Sequence, residues 1–180
     1  MIPFNQSNRK LPKAITEEEF RIFIETFKGK KTLEKLNAGK KYNLVAFLLA
    51  YESGLRISEV LKIKKEDIQE NQINIWLGKG QVDRTVPKPK TWRSWMIDFI
   101  PIERSARILQ SNFKKTIRAA RLPEHYTFHS LRHGFATRCV EKGMPITQVQ
   151  LLMGHSNVAT TSIYTKARPI DALKSYGDLF

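Results

Sequence analysis

Apolar residues recur at helical spacing early in the chain. Phe20, Phe23, Ile24 and Phe27 fall three and four apart, on one helix face. Thr16 and Glu19 form a capping-box pair, with Ile15 and Phe20 as its hydrophobic staple, so a helix is predicted from Thr16. Residues 1–15, with Pro3 and Pro12 and no periodicity, read as a flexible lead-in. Lys28 to Lys41 is a lysine-rich connector. Residues 42–53 are nearly all apolar, which predicts a central buried helix ended by Gly54. A short helix is predicted over Ser58 to Lys62.

The period then changes. Ile73-Asn74-Ile75-Trp76-Leu77 alternates as a strand does, Gly78-Lys79-Gly80-Gln81 is a turn, and Arg84 to Pro87 is the returning strand. Helical pattern resumes near Thr91 and again over Glu103 to Arg121. In the second stretch Leu109, Phe113, Ile117 and Ala120 make an apolar stripe beside the basic stripe Lys114, Arg118 and Arg121. Further helices are predicted over His129 to Lys142 and Thr147 to Met153, closed by Gly143 and Gly154. A third is predicted from Ser156 or Asn157 to about Lys166. Pro169 breaks the pattern before an amphipathic piece, Ile170 to Phe180. The fold class is mainly α with a small antiparallel β-sheet (α+β). One domain is expected over 16–168, followed by a tail over 169–180.

Composition narrows the partner. Lys and Arg number 31 against 17 Asp and Glu, a net charge of +14. From residue 84 to 121 there are ten basic and two acidic side chains, so over half of the excess lies there. Such a surface favours a polyanion, nucleic acid foremost, with a membrane surface as the alternative. The longest apolar run, Leu44 to Tyr51, is too short to span a bilayer, and the N-terminus shows no signal-peptide pattern. The single cysteine, Cys139, excludes an internal disulfide and any two-thiolate zinc site. A cytoplasmic or nucleoid location is expected.

Several polar residues stand in unusual places. Arg56 follows the most apolar helix directly; its plain reading is a partner of Glu59 or Glu52. Lys79, between two glycines, has the plain reading of a solvated turn lysine. His129 and Arg132 lie three apart and share a helix face. His129 and His133 have zinc-ligand spacing, but HSLRH lacks the metalloprotease glutamate and Arg132 opposes a cation, so no metal is expected. His133 is read as structural, its ring hydrogen-bonded in the core.

Taken together, GLRISEVLKI, GKGQVDRTVP, HSLRHGFAT and LLMGHSNVATTSIYT closely resemble the catalytic domain of the tyrosine recombinases, the phage-integrase family, over roughly Thr16 to Lys166. The resemblance implies a catalytic set. Arg56 matches the first arginine, Lys79 the hairpin lysine, His129 and Arg132 the H-x-x-R pair, His155 the histidine of the GH turn, and Tyr164 the nucleophile. The chemistry fits each type. Arginine forks and a histidine donor suit a charged phosphodiester, and a tyrosine gives a 3′-phosphotyrosine. That phenol titrates near pH 10, so a base helps, and His129 is assigned that work. Lys79 is assigned protonation of the leaving 5′-oxygen. Because the phosphotyrosine stores the bond energy, no cofactor, metal or ATP is implied.

The implied activity is site-specific DNA recombination: integration, excision or resolution of a mobile element or chromosome dimer. A type IB topoisomerase-like nicking and closing enzyme and a non-catalytic DNA-binding module are the alternatives. Arg84, Lys88, Lys90, Lys114 and Arg118 are the expected DNA contacts. Double-stranded DNA is the implied partner, with a homotetramer on DNA formed through the tail and no membrane. The chain departs from the family in two ways. About fifteen residues precede the first helix where members usually carry a separate clamping domain, leaving a fragment or a single-domain form. Val82 stands where many relatives carry a second basic residue.

Overall fold

The computed structural model describes residues 14–76, 82–154 and 169–180. Helix α1 (Glu17–Lys28) opens on the predicted capping box. Thr16 Oγ1 accepts from the Glu19 N–H at 3.1 Å, and the Glu19 carboxylate accepts from the Thr16 N–H at 2.9 Å. Its buried face carries Phe20, Phe23 and Phe27, and the Phe23 ring meets Phe47 edge-on at 5.2 Å. Helix α2 (Ala38–Glu52) begins four residues before the apolar run, because the Asn37 side chain caps it by accepting from the Lys40 N–H at 2.9 Å. Every residue from Asn43 to Glu52 is buried. This helix is the axis of the fold, with α3 (Ile57–Val60), α4 (Ala106–Ala119) and α5 (Phe128–Glu141) against it.

Strands β1 (Gln72–Trp76) and β2 (Val82–Pro87) pair antiparallel, as predicted; the Lys79 turn lies outside the described residues. The stretch near Thr91 is no α-helix. Bracketed by Pro89 and Pro101, it forms turns and then a 3-10 helix over Ser94–Phe99. Helix α4 starts at Ala106 rather than Glu103, where Ser105 Oγ accepts from the Ile108 N–H at 3.3 Å. It buries Leu109, Phe113 and Ile117 and leaves Arg118 outside.

Helix α6 (Ile146–Met153) ends at Gly154, and α7 (Pro169–Leu179) begins with proline at its first position, where the missing N–H costs nothing. A second apolar cluster joins α5, α6 and α7 through Phe135, Cys139, Leu152, Met153, Ala172 and Tyr176. Tyr176 donates its hydroxyl proton to the Glu52 carbonyl at 3.3 Å. The tail therefore lies on its own domain. Leu173, Leu179 and Phe180 pack there, while Ile170 of the same expected face is 65% exposed. Burial pushes the Cys139 thiol up to about 12, so it serves as an inert core residue. The helix expected between Ser156 and Lys166 lies outside the described residues. Among the described residues no helix is long and apolar enough to cross a membrane.

Candidate active site

Two glycines shape the site. Gly54 ends α2 at φ +69°, and a Cβ there would come within 2.6 Å of the Phe135 ring. The chain turns at this point and makes Arg56 the N-terminal cap of α3. Gly154 ends α6 in the left-handed conformation, φ +59°.

Glu59, one turn into α3, is the hub. Its carboxylate accepts from the Arg56 N–H at 2.7 Å and from Arg56 Nη1 at 2.9 Å. Arg84 reaches it from β2 with both terminal nitrogens, Nη1 to Oε1 at 3.0 Å and Nη2 to Oε2 at 2.8 Å. Arg132 of α5 brings Nη1 to 3.8 Å. The same three arginines also donate to three successive carbonyls at the end of α6. Arg84 Nε bonds Leu152 at 2.8 Å, Arg132 Nη2 bonds Met153, and Arg56 Nη2 bonds Gly154 at 3.1 Å. Arg132 Nη1 further bonds the Gly54 carbonyl. A helix's last carbonyls lack partners within the helix and carry partial negative charge, so guanidiniums suit them.

Three guanidiniums against one carboxylate leave an excess of positive charge. Burial alone would raise the Glu59 pKa, but hydrogen bonds from Arg84 and Arg56 outweigh it and hold the carboxyl below the ordinary value. Burial pushes Arg132 down to about 9; the positive charge of Arg56 adds to this and Glu59 opposes it. Arg132 still carries its proton at neutral pH. The arrangement is thus built around cations that an anion would stabilise further.

His129 lies on the open side of α5, its ring edge-on to His133 at 4.6 Å. Partial burial, then the charges of His133, Arg132 and Arg56, lower its pKa. At neutral pH it is an unprotonated imidazole that can accept a proton. His133 is half-buried against this ring rather than set in the core, and burial with Arg132 lowers its pKa too. Beside His129 opens a cleft of about 530 Å³, bounded by Leu55, Ile57 and Phe128 and, on α4, by Arg107, Gln110, Ser111 and Lys114.

Of the six expected catalytic residues, Arg56 and Arg132 meet through Glu59 and the end of α6, and His129 stands one helical turn from Arg132. Lys79, His155 and Tyr164 lie outside the described residues; His155 follows Gly154 directly in the sequence. Among the expected DNA contacts, Lys90 and Arg118 are exposed and Lys88 and Lys114 are partly so. Lys114 Nζ bonds the Glu124 carbonyl at 2.6 Å, and Arg118 pairs with the Glu124 carboxylate at 3.3 Å. Arg84 is a correction. Its side chain is 4% exposed and committed to Glu59 and Leu152, so it is an internal strut and not a surface contact. The alternation of β2 carried the signal, since Arg84 shares a strand face with buried Val86. Glu59 was legible only as a plain partner of Arg56.

A profile described as the phage integrase family matches residues 13–169. The tyrosine recombinase XerA of Thermococcus kodakarensis is 34% identical over 176 residues, 88% of this chain and 59% of that protein. XerC of Rickettsia bellii is 31% identical over 179 residues, 89% of this chain and 58% of that protein. The chain therefore spans a little under three fifths of these relatives' length. Among solved structures, the XerH site-specific recombinase bound to a palindromic difH substrate, a post-cleavage complex, matches with a TM-score of 0.66 at 24% identity, over 89% of this chain and 52% of that one. XerA recombinase matches at 0.61 and 22%, over 98% and 67%. These two likenesses carry the fold.

Proposed function

We propose that this chain, which belongs to the phage integrase family, cleaves and rejoins double-stranded DNA at specific sites through a 3′-phosphotyrosine. The observation that carries the reading is the arginine pair. Arg56 and Arg132 are fixed by one carboxylate and one helix end, with cationic charge in excess, beside a lowered-pKa histidine. Such pre-set cations stabilise the charge that builds on a phosphate's non-bridging oxygens as it is attacked.

In this reading Tyr164 Oη attacks phosphorus and its proton passes to His129. The bond from phosphorus to the 5′-oxygen breaks, and Lys79 protonates that oxygen. His155 adds a hydrogen bond to the phosphate. Rejoining runs the same steps backwards, with a 5′-hydroxyl as the nucleophile, so every bond broken is remade and no cofactor enters. Lys88, Lys90, Lys114 and Arg118 are proposed as contacts to the duplex, and residues 16–168 as the catalytic unit. Four copies are proposed to assemble on DNA, the 169–180 tail leaving the face it covers on its own domain to dock on a neighbouring copy. Light scattering on a duplex carrying two sites should then show a four-chain particle, and one chain per site at every concentration would count against assembly.

The test of the activity uses a duplex enriched from random sequence by binding to the chain. Incubation and a denaturing gel should show protein covalently held on a DNA 3′ end, absent with Tyr164→Phe. No adduct from the wild-type chain would refute the reading. Lys79 has its own check. A substrate with sulfur in place of the bridging 5′-oxygen has a leaving group that needs no acid, since a thiol titrates near pH 8.5. Lys79→Ala should be slower by roughly a hundredfold on ordinary DNA and recover on the sulfur substrate. Equal slowness on both would remove Lys79 from the acid's role.

A further inference from the structure

Arg84 lies on the buried face of the hairpin among Ile73, Ile75 and Val86. An arginine there is tolerable only when its N–H groups find partners. The register shifts at this point. Ile75 pairs with Arg84 but Trp76 pairs with Val82, so β2 carries one extra residue between them. A bulge of this kind re-aims a side chain, and here it accompanies a guanidinium turned inward toward Glu59.

The grip is two-pronged. Arg84 holds both oxygens of the Glu59 carboxylate, at 3.0 and 2.8 Å. The Arg56 side chain bonds one oxygen, and Arg132 stands 3.8 Å from the other. A bidentate fork fixes the plane of a carboxylate, which a single bond leaves free to rotate. Arg84 also bonds Leu152, two residues before Gly154. The chain makes room for it: a Cβ at Gly154 would come within 2.8 Å of Arg84 Cδ and Nη1. Through Glu59 and the end of α6, Arg84 reaches both points that hold Arg56 and Arg132.

We propose that Arg84 is a positioning residue for cleavage, holding Glu59 and the end of α6 so that Arg56 and Arg132 keep the spacing that takes up a phosphate. This rests on the reading of Arg56 and Arg132 as the phosphate's ligands. Arg84 touches no substrate; it acts through Glu59. The competing role is placement of Lys79, which stands five residues earlier in the sequence.

Arg84→Met keeps the side chain's length and removes the fork. On the enriched duplex, cleavage should fall about a hundredfold while duplex affinity stays within about twofold, because a misplaced ligand costs rate before it costs binding. The sulfur substrate should give no recovery, since the defect lies at the phosphate and not at the leaving group. Arg84→Lys, which keeps the charge and one bond, should regain about tenfold of the loss. Wild-type cleavage by Arg84→Met, or its recovery on the sulfur substrate, would overturn the proposal.

A second measurement is independent of activity. In the free chain, solvent exchange of the Arg56 and Arg132 guanidinium protons, read by nitrogen-15 arginine NMR, should quicken about tenfold at Arg132 in Arg84→Met. Where that variant does not fold, Arg84→Lys carries the same reading, with exchange faster than wild type expected. Unchanged exchange in a folded variant would overturn the positioning role even if the wild-type chain cleaves no DNA. A missing wild-type adduct with quickened exchange would instead place the failure in the proposed activity.

Discussion

Replacing Glu59 by glutamine keeps its shape but removes the charge that Arg56, Arg84 and Arg132 share. Removing one partner of a buried ion pair strands the others, so Glu59→Gln should cost roughly 3–5 kcal/mol of stability. Urea unfolding measures this, and a loss below about 1 kcal/mol would mean that solvent reaches the cluster. The histidines give a pH dependence with a definite sign. Burial and neighbouring cations lower the pKa of His129 and His133 below the ordinary 6.5. On acidification the unfolded chain binds protons first, so stability is complete above that value and is lost as pH falls through the folded pKa values. The thermal midpoint should drop between about pH 7.5 and pH 5, and His133→Gln should reduce the drop. The site's arginines were singled out through the resemblance that GLRISEVLKI and HSLRHGFAT carry; taken alone, Arg56 read as a partner of Glu59 or Glu52, and Glu59 is the partner it has. Arg84 was misjudged because a basic residue in a basic stretch reads as surface. Its alternation with Val86 puts it on the buried face, and the partner that satisfies it there, Glu59, lies 25 positions away across the fold.

The elements with strong local signals formed where the pattern placed them. Helix α1 follows its capping box, and Thr16→Ala should cost about 1 kcal/mol in a thermal or urea melt, with no measurable effect excluding the cap as a contributor. The unbroken apolar run over α2 meant burial on all sides, and the structure surrounds it. Boundaries were harder. Asn37 and Ser105 start their helices through single side-chain bonds that hydrophobic periodicity does not register. The Ser94–Phe99 segment has helical apolar spacing, but flanking prolines limit it to 3-10 turns. For α7 the pattern gave an amphipathic helix, and the resemblance pointed its apolar face at a neighbouring copy. What it covers is its own α6 and Glu52, a long-range contact through Tyr176. Tyr176→Ala should therefore cost about 3 kcal/mol and speed proteolysis of the tail. Unchanged tail protection would mean that Tyr176 is not its anchor.

At the scale of the molecule, the charge of +14 and the fixed cationic site support the proposed DNA partner, held through its phosphates. Contacts to roughly six phosphates would weaken binding on the order of a thousandfold between 50 and 200 mM salt. A tight complex insensitive to salt would contradict that picture. The central claim is chemical and falls on one atom. Digesting the covalent complex to peptides and locating the attached nucleotide by mass spectrometry asks which side chain the phosphate joins. The account predicts a nucleotide 3′-phosphate on Tyr164, in the peptide that follows Gly154. A nucleotide on any other side chain, or joined through its 5′ end, would contradict it.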